Sequence, residues 1–237
     1  MRGPYGFEVS DNCQTCKHRA SNFFCQLPPA ALKDFNAIKS SSTYPEGAML
    51  FLEKQETRGI FILCEGQVKL SVSSAEGKTL ILQIAKAGEV LGLMAALART
   101  RYEVTAETLR PCQVAFVRRD DFLRFLAQHP ETNAGVVRQL ASQYRFACEQ
   151  LRTVGLAASA HEKLAKLLLD WTAEGTDAKE GRVTVPLTHE EIAEFIGSSR
   201  ETVTRTFSEF KSQRLVALKG STLTISNRAG LQNLVGV

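Results

Sequence analysis

Cysteines form the first group of residues whose types and spacing could do chemistry. Three lie near the amino terminus as Cys13-x2-Cys16-x8-Cys25, and Cys112 begins the apolar stretch CQVAF further along the chain. Four thiolates are the usual ligands of a four-iron, four-sulfur cluster. Zinc also accepts three or four thiolates, with His18 as a further candidate ligand. The remaining alternatives are a thiol switch without metal and cysteines that bind nothing.

Polar residues near the carboxyl terminus form a second candidate site, one that could contact DNA. They lie in the string SSRETVTR and comprise Ser199, Arg200, Glu201, Thr204 and Arg205. If this segment is a helix, the apolar side chains of Val203, Phe207 and Phe210 lie on the face opposite these polar residues. Arginine can donate two hydrogen bonds to O6 and N7 of guanine, and glutamate can accept one from N4 of cytosine. The first turns of this helix could therefore read base edges in the major groove.

Two short helices are predicted to position this second site. Thr188 and Glu191 form a capping box at the start of the first helix, and Gly197 follows its last apolar residue. Ser199 is a good cap for the second helix, which we predict from Arg200 to about Arg214. Two helices joined by a short glycine-containing turn make a helix-turn-helix.

A hairpin and a local positive charge accompany the helix pair. The segments 215–218 and 222–225 flank Lys219-Gly220-Ser221, which is typical of the wing of a winged helix. From Gly197 onward, six Lys and Arg residues stand against two Glu residues, a local excess of four. This charge favours contact with phosphate, whereas the alternative is a winged helix that binds protein.

Short apolar runs separated by glycines occupy the middle of the chain, from about Ser40 to Val117. Gly66, Gly77 and Gly88 recur at an interval of eleven residues, and the runs between them alternate apolar with polar residues. Short strands with turn signals about every 8–12 residues indicate an antiparallel sandwich or jelly roll. A parallel α/β fold is disfavoured because no helical stretch separates these runs.

A long helical region follows the strands, and it carries a possible seam for a second copy of the chain. Apolar residues alternate at steps of three and four: Val137, Leu140, Tyr144, Ala147, Leu151 and Val154. This is the a/d pattern of a coiled coil, and it predicts a dimerisation helix. The alternative is a helix that packs only on its own domain.

Composition places the chain among globular proteins. It has 237 residues, of which 44% are hydrophobic and 23% charged, with a net charge of +4. No apolar run approaches the roughly 18 residues of a membrane span, and the first ten residues lack the apolar core of a secretory signal. We therefore expect a cytoplasmic protein with reduced cysteines. We divide it into an arm (1–28), a strand-rich domain (29–118), a long helix (119–156) and a carboxyl-terminal domain (157–237).

Enzyme chemistry is not expected. Cys13 and Cys16 lie in an irregular arm and do not open a helix after a strand, as a thiol oxidoreductase requires. The sequence also lacks a nucleophile elbow, a P-loop and a zinc-protease motif.

The string GSSRETVTRTFSEFKSQRLVALKG resembles the recognition helix and wing of the CRP/FNR family of bacterial transcription regulators. The order of parts is similar over nearly the whole chain. The resemblance implies an α+β fold with a β-roll sensor domain, a long dimerisation helix and a winged helix-turn-helix. It also implies a homodimer and RNA polymerase as a partner. In CRP-like members, the residues matching Arg200, Glu201 and Arg205 read a TGTGA-type half-site, so a palindromic operator with such arms is implied.

The resemblance bears on the sensed signal as well. FNR-type regulators hold an oxygen- or nitric-oxide-labile four-iron, four-sulfur cluster on three arm cysteines and a fourth in the β-roll. The stretch from Cys112 to Asp121 aligns with that fourth site without gaps. The implied ligands are thus Cys13, Cys16, Cys25 and Cys112, with a longer interval between Cys16 and Cys25 than in the family's best-known member.

Cyclic AMP is not expected to bind in the manner usual for the family. Leu93 stands where other members have the glutamate that holds the ribose, and Tyr102 and Glu103 stand where they have an arginine and a serine. A phosphate needs a cation or several donors, and Glu103 would repel it. The alternative to a cluster is therefore a regulator that responds to another small molecule, to zinc or to nothing.

Overall fold

The computed structural model describes residues 5, 12–16, 23–156, 159–174, 182–184, 187–219 and 222–235. The chain divides into two compact units. The first comprises Met1–Ser74 and Leu82–Phe146, and the second comprises Ala75–Ile81 and Ala147–Val237. Within the described ranges, no helix is both long and apolar enough to cross a membrane.

Two four-stranded sheets form the centre of the first unit, although the first three residues of one strand, Thr79–Ile81, belong to the second unit. Their strands are β1 (Lys39–Tyr44), β2 (Met49–Phe51), β3 (Gly59–Glu65), β4 (Gln67–Ser73), β5 (Thr79–Lys86), β6 (Val90–Leu91), β7 (Thr105–Thr108) and β8 (Cys112–Arg118). One sheet has the order β1-β8-β3-β6 and the other the order β2-β7-β4-β5. Strand β8 pairs antiparallel with β1 and β3, and β7 pairs antiparallel with β2 and β4. The predicted antiparallel β-roll is confirmed.

Helices cover one face of the first of these sheets. They are α1 (Pro29–Ile38) and α3 (Arg119–Gln128), with a short 3-10 turn at Phe23–Gln26 before α1. Aromatic side chains from these elements pack together and are buried, with Phe24 stacked on Phe35 at a centroid distance of 4.6 Å. We call this apolar cluster the arm-side core, because Cys13 also packs against it.

A helix inside the β-roll was not predicted. Helix α2 (Leu93–Ala98) follows Gly92, whose φ of +72° lies in the left-handed region. Its sequence, LMAALA, is too short to show a helical period, so the run could not be distinguished from a strand by pattern.

The helical region predicted as continuous from 119 to 156 is divided. Helix α3 ends at Gln128, a 3-10 turn occupies Pro130–Thr132, and helix α4 runs over Asn133–Leu156. The cause is Pro130, because the residue before a proline is disfavoured in the helical region. His129 accordingly adopts φ −125° and ψ 68°.

The second unit contains the helix-turn-helix and a small sheet. Besides the end of α4, its elements are α5 (Ala160–Glu174), β9 (Arg182–Thr184), α6 (His189–Ile196), α7 (Arg200–Ser212), β10 (Val216–Lys219), β11 (Thr222–Ile225) and α8 (Arg228–Val235). The sheet has the order β10-β11-β9. The two predicted helices and the hairpin are confirmed, whereas β9 and α8 were not predicted.

Candidate functional site

The turn between α6 and α7 is built by the capping residues that the sequence predicts. The Thr188 hydroxyl accepts a hydrogen bond from the Glu191 amide at 3.2 Å, and the Glu191 carboxylate accepts one from the Thr188 amide at 2.9 Å. Gly197 ends α6 with φ +63°. The Ser199 hydroxyl then accepts from the Thr202 amide at 3.2 Å and starts α7. Local hydrogen bonds therefore determine where the second helix begins.

The two faces of α7 separate as expected. The side chains of Val203, Phe207 and Phe210 are buried. The predicted DNA-contacting residues are all exposed: Ser199, Arg200, Glu201, Thr204 and Arg205. The Arg205 side chain is 71% exposed, and its Nε lies 4.0 Å from Oε1 of Glu209. Such a long surface contact holds the guanidinium weakly, which leaves it available to another acceptor.

His189 supports this exposed face, a role that the sequence did not predict. Its ring stacks on Phe207 with a centroid distance of 5.0 Å. Its Nδ1 lies 2.9 Å from the Thr204 hydroxyl, which itself donates to the Arg200 carbonyl at 2.9 Å. Because the Thr204 hydroxyl donates its proton to Arg200, it can only accept from His189. We therefore place a proton on Nδ1 of His189. Burial lowers the pKa of His189, and the charges of Lys211 and Arg200 lower it further.

The hairpin beside α7 adds further exposed positive charge. Strands β10 and β11 pair in register from Val216 opposite Ile225 to Lys219 opposite Thr222. Val216 and Leu223 are buried, while Lys219 is exposed. Such a surface can contact the phosphates on either side of a groove.

The apolar stripe of α4 is partly exposed. Val137, Tyr144 and Leu151 recur every seventh residue and are 62%, 70% and 72% exposed. Ala147 is also exposed, whereas Leu140 packs against the arm-side core and Val154 is half-buried. Of the six predicted seam residues, the row at heptad spacing is therefore more than half exposed.

Two of the arm cysteines lie side by side. The thiols of Cys13 and Cys25 share a hydrogen bond, which is the main reason why the pKa of Cys13 falls to about 7; the charge of Lys39 contributes in the same direction. The same hydrogen bond and burial raise the pKa of Cys25. The arm is fixed at this point because the Cys13 amide donates to Oδ1 of Asn36 on α1 at 3.1 Å.

The fourth predicted ligand does not join them. Cys112 is fully buried and belongs to a second apolar cluster, between the two sheets of the roll. Cys64 instead packs against the same arm-side core as Cys13. Burial and the neighbouring thiols of Cys13 and Cys16 raise the pKa of Cys64 to about 11. In the described part of the chain, no three or more His, Cys, Asp or Glu side chains are placed to hold a metal ion.

The positions that hold cyclic AMP in other regulators have apolar or acidic side chains here. Leu93 is buried at the start of α2. The Tyr102 ring stacks on Phe51 at 4.0 Å, and its hydroxyl donates to the Gly59 carbonyl at 2.7 Å. Glu103 is exposed and accepts from the Thr100 hydroxyl at 3.1 Å. These side chains offer a cyclic phosphate no cation.

Comparison with known proteins agrees with this arrangement. A cyclic nucleotide-binding domain matches residues 41–129, and a Crp-like helix-turn-helix domain matches residues 162–234. The transcriptional activatory protein AadR of Rhodopseudomonas palustris is 27% identical over 210 residues, which is 87% of this chain and 86% of that protein. A CRP-like cAMP-activated global transcriptional regulator of Mycobacterium tuberculosis is 26% identical over 87% of this chain and 93% of that protein.

A solved structure shows the same fold. FixK2 from Bradyrhizobium japonicum matches with a TM-score of 0.74 at 21% identity, covering 83% of this chain and 97% of that one. The β-roll, the long helix and the helix-turn-helix thus form the same fold as in that structure. The chain belongs to the CRP/FNR family and is a DNA-binding transcription regulator rather than an enzyme.

Proposed function

We propose that this regulator acts as a homodimer on a palindromic operator with TGTGA-like arms, and that an oxygen- or nitric-oxide-labile iron–sulfur cluster on its arm cysteines controls DNA binding. The observation that carries the proposal is the pairing of the Cys13 and Cys25 thiols in an arm that packs on the sensor domain. RNA polymerase is the further partner that such a regulator would contact.

The operator follows from the exposed residues of α7. Arg200, Glu201 and Arg205 project from the first turns of the helix, where base contacts are made in the major groove. Two arginines suit guanines, and the glutamate suits a cytosine on either strand. These preferences agree with the G·C pairs of a TGTGA-like arm.

The dimer follows from the open row on α4. Three large apolar side chains at heptad spacing, each more than half exposed, are typical of a surface that a second helix covers. A two-fold dimer presents two identical recognition helices, which explains why the operator should be palindromic.

The cluster follows from the chemistry of the arm. Cys13, Cys16 and Cys25 supply three thiols, and iron–sulfur clusters are held by thiolates. A four-iron cluster is larger than a single ion, so its ligands are further apart than those of zinc. When bound, such a cluster would react with oxygen or nitric oxide and be lost. The Asn36 hydrogen bond to the Cys13 amide would connect this event to α1.

A cluster-free regulator that responds to an anionic small molecule is the second candidate, and a groove favours it. The groove has a volume of about 790 Å³, and Lys54, Arg99, Arg101 and Arg119 contribute to its lining together with three glutamates. Nη2 of Arg119 is buried without a hydrogen-bond partner among the described residues. An anion in the groove could supply that partner.

The deciding experiment measures iron, acid-labile sulfide and zinc per chain on protein purified without oxygen. Binding to a TGTGA-like palindrome and to a scrambled duplex is then followed by fluorescence anisotropy before and after exposure to air. We expect about four iron and four sulfide per chain, lost in air together with tight operator binding. Cys148→Ser, outside the proposed ligand set, should retain its iron, whereas Cys16→Ser should lose it.

Absence of iron with unchanged operator binding would reject the cluster and leave the second candidate. Stoichiometric zinc would identify the arm as a zinc site. Equal affinity for the palindrome and the scrambled duplex would reject the proposed operator.

A further inference from the structure

The two central strands of the first sheet present alternate residues to opposite sides. On β3, Ile60 and Ile62 contact the arm-side core, whereas Phe61 and Leu63 contact the cluster between the sheets. Strand β8 is paired with it antiparallel, with Ile62 opposite Ala115. Successive side chains of a strand point to opposite faces, so every residue of β8 is assigned to a side by its position.

Cys112 faces the interior of the roll by this rule. It shares the parity of Val114 and Phe116, which also contact the cluster between the sheets. Its Sγ lies 3.1 Å from the carbonyl oxygen of Arg110, and a Cβ added at Gly66 would lie only 2.5 Å from that sulfur. Turning Cys112 toward the arm would require a one-residue slip of β8, which would bring every buried side chain of the strand to the wrong face.

Cys64 faces the arm. It follows Ile60 and Ile62 in parity and packs against the arm-side core. The pairing of β3 with β8 shifts between Leu63 and Glu65, so Cys64 is the extra residue of a β-bulge. Bulges redirect a side chain without disrupting the rest of the sheet and often lie beside functional sites.

The arm brings its own thiols to this side of the sheet. Cys13 packs against the same core as Cys64, and its thiol is hydrogen-bonded to that of Cys25. Cys13 and Cys16 lie near enough to the Cys64 thiol to raise its pKa. Cys64 raises the pKa of the Cys25 thiol in the same way. Lys39, the first residue of β1, acts on Cys13 and Cys64 with a positive charge that would offset part of the charge of several thiolates.

We propose that Cys64, not Cys112, completes the thiolate set with Cys13, Cys16 and Cys25. The inference rests on the cluster proposed above, because it names the ligand that the β-roll contributes. The fourth ligand would then lie at the bulge of β3 rather than on β8, and Cys112 would pack in the interior of the roll.

The test compares Cys64→Ala with Cys112→Ala. Each apo-protein is treated without oxygen with a mixture of ferrous and ferric iron and with sulfide, and iron, sulfide and visible absorbance are measured per chain. We expect Cys64→Ala to lose the bound iron as completely as Cys16→Ala does, and Cys112→Ala to retain the wild-type content. Circular dichroism and thermal melting establish that each variant is folded, and Cys112→Val replaces the alanine variant if the interior cavity unfolds it.

A second measurement needs no metal. Reduced apo-protein is oxidised with diamide, and disulfides are mapped by mass spectrometry. We expect Cys64 in disulfides with arm cysteines while Cys112 stays reduced. A disulfide from Cys112 to the arm would overturn the inference.

The outcomes separate the two proposals. Iron lost from Cys112→Ala but kept in Cys64→Ala would overturn the role of Cys64 and leave the cluster standing. A wild-type protein without iron would reject the cluster, and the disulfide map would then decide by itself whether Cys64 or Cys112 faces the arm.

Discussion

Arg205 provides the most direct test at the scale of single residues. Arg205→Ala should lose about 1–3 kcal/mol of discrimination at one guanine, because the bidentate contact is removed. The dimer should stay intact, since the side chain points away from the buried face of α7. Anisotropy titrations with the operator and with a duplex altered at that base pair measure the difference.

Arg205→Lys is the matched control. Lysine keeps the charge but lacks the planar fork that grips two acceptors. It should therefore lose discrimination while keeping affinity for random DNA. If Arg205→Ala weakens binding equally on all duplexes, the residue contacts phosphate and the assignment to a base is wrong.

His189 should make the stability of the protein depend on pH. Its pKa in the folded chain is lowered by burial and by two nearby cations, so the unfolded chain takes up the proton first as pH falls. The contribution of His189 is therefore fully present above its ordinary pKa of about 6.5 and is lost as pH falls through the folded value. Urea unfolding at pH 7.5 and 5.5 should show a larger loss for the wild type than for His189→Gln, and equal losses would contradict this account.

Sequence reasoning identified the exposed residues of α7 but missed His189 and Cys64. The exposed residues follow from helical periodicity, since Val203, Phe207 and Phe210 determine the buried face. His189 contacts Thr204 on the next helix, and no local pattern in the sequence indicates a contact of this kind. Cys64 stands in the apolar run FILC, and periodicity does not reveal which side of a sheet the arm covers.

Gly197 gives a test at the scale of elements. Its φ is +63°, and a Cβ there would lie 3.0 Å from Cγ1 of Val154. Gly197→Ala should lower the free energy of unfolding by about 1–2 kcal/mol from backbone strain, with an added loss from this contact. Gly77→Ala is the control, because Gly77 has φ +82° and nothing within 4 Å of such a Cβ. Equal losses in the two variants would show that Val154 accommodates the methyl group.

Tyr144 tests the seam of α4. Tyr144→Glu places a charge at the centre of the exposed row and should shift the protein toward monomer in sedimentation velocity. Ser142→Glu adds the same charge to an exposed residue two positions away, which faces elsewhere on the helix. An unchanged sedimentation profile for Tyr144→Glu, or an equal shift for both variants, would refute the seam.

Elements with strong local signals were predictable, and those without were not. The capping box at Thr188 and the glycine after α6 give the observed bounds of α6, and Ser199 gives the observed start of α7. The break before α4 was not predicted, because its local signal is Pro130 and the helical pattern continues on both sides of that residue. Strand β9 has three residues, which is too few for an alternating pattern, and it joins the sheet through β11.

The spacing between the two operator arms tests the proposed dimer as a whole. Insertion of about five base pairs between the two arms rotates them by half a helical turn, so only one recognition helix can meet its groove. We expect the affinity to fall to the affinity for a duplex with a single arm. Fluorescence anisotropy measures it at a fixed salt concentration, because the contribution of phosphate contacts depends on salt. Undiminished affinity would mean that the two arms are bound independently.

At this scale the order of domains was predictable from the sequence, because the β-roll, the helical region and the winged helix each have their own pattern. The position of the arm was not, since residues 1–28 carry little periodicity. It is held by particular contacts instead, such as the Asn36 bond to Cys13 and the burial of Phe24.

The bulge at Cys64 has a consequence for how the arm-facing side of β3 can change. A bulge adds one residue to a strand while the partner strand is unchanged. Gain or loss of a single codon at the bulge of β3 would therefore change which side chain faces the arm at this position. The sheet, the dimer helix and the recognition helix would be unaffected. If Cys64 is a ligand of the proposed cluster, such a change would remove that ligand and leave the exposed residues of α7 as they are.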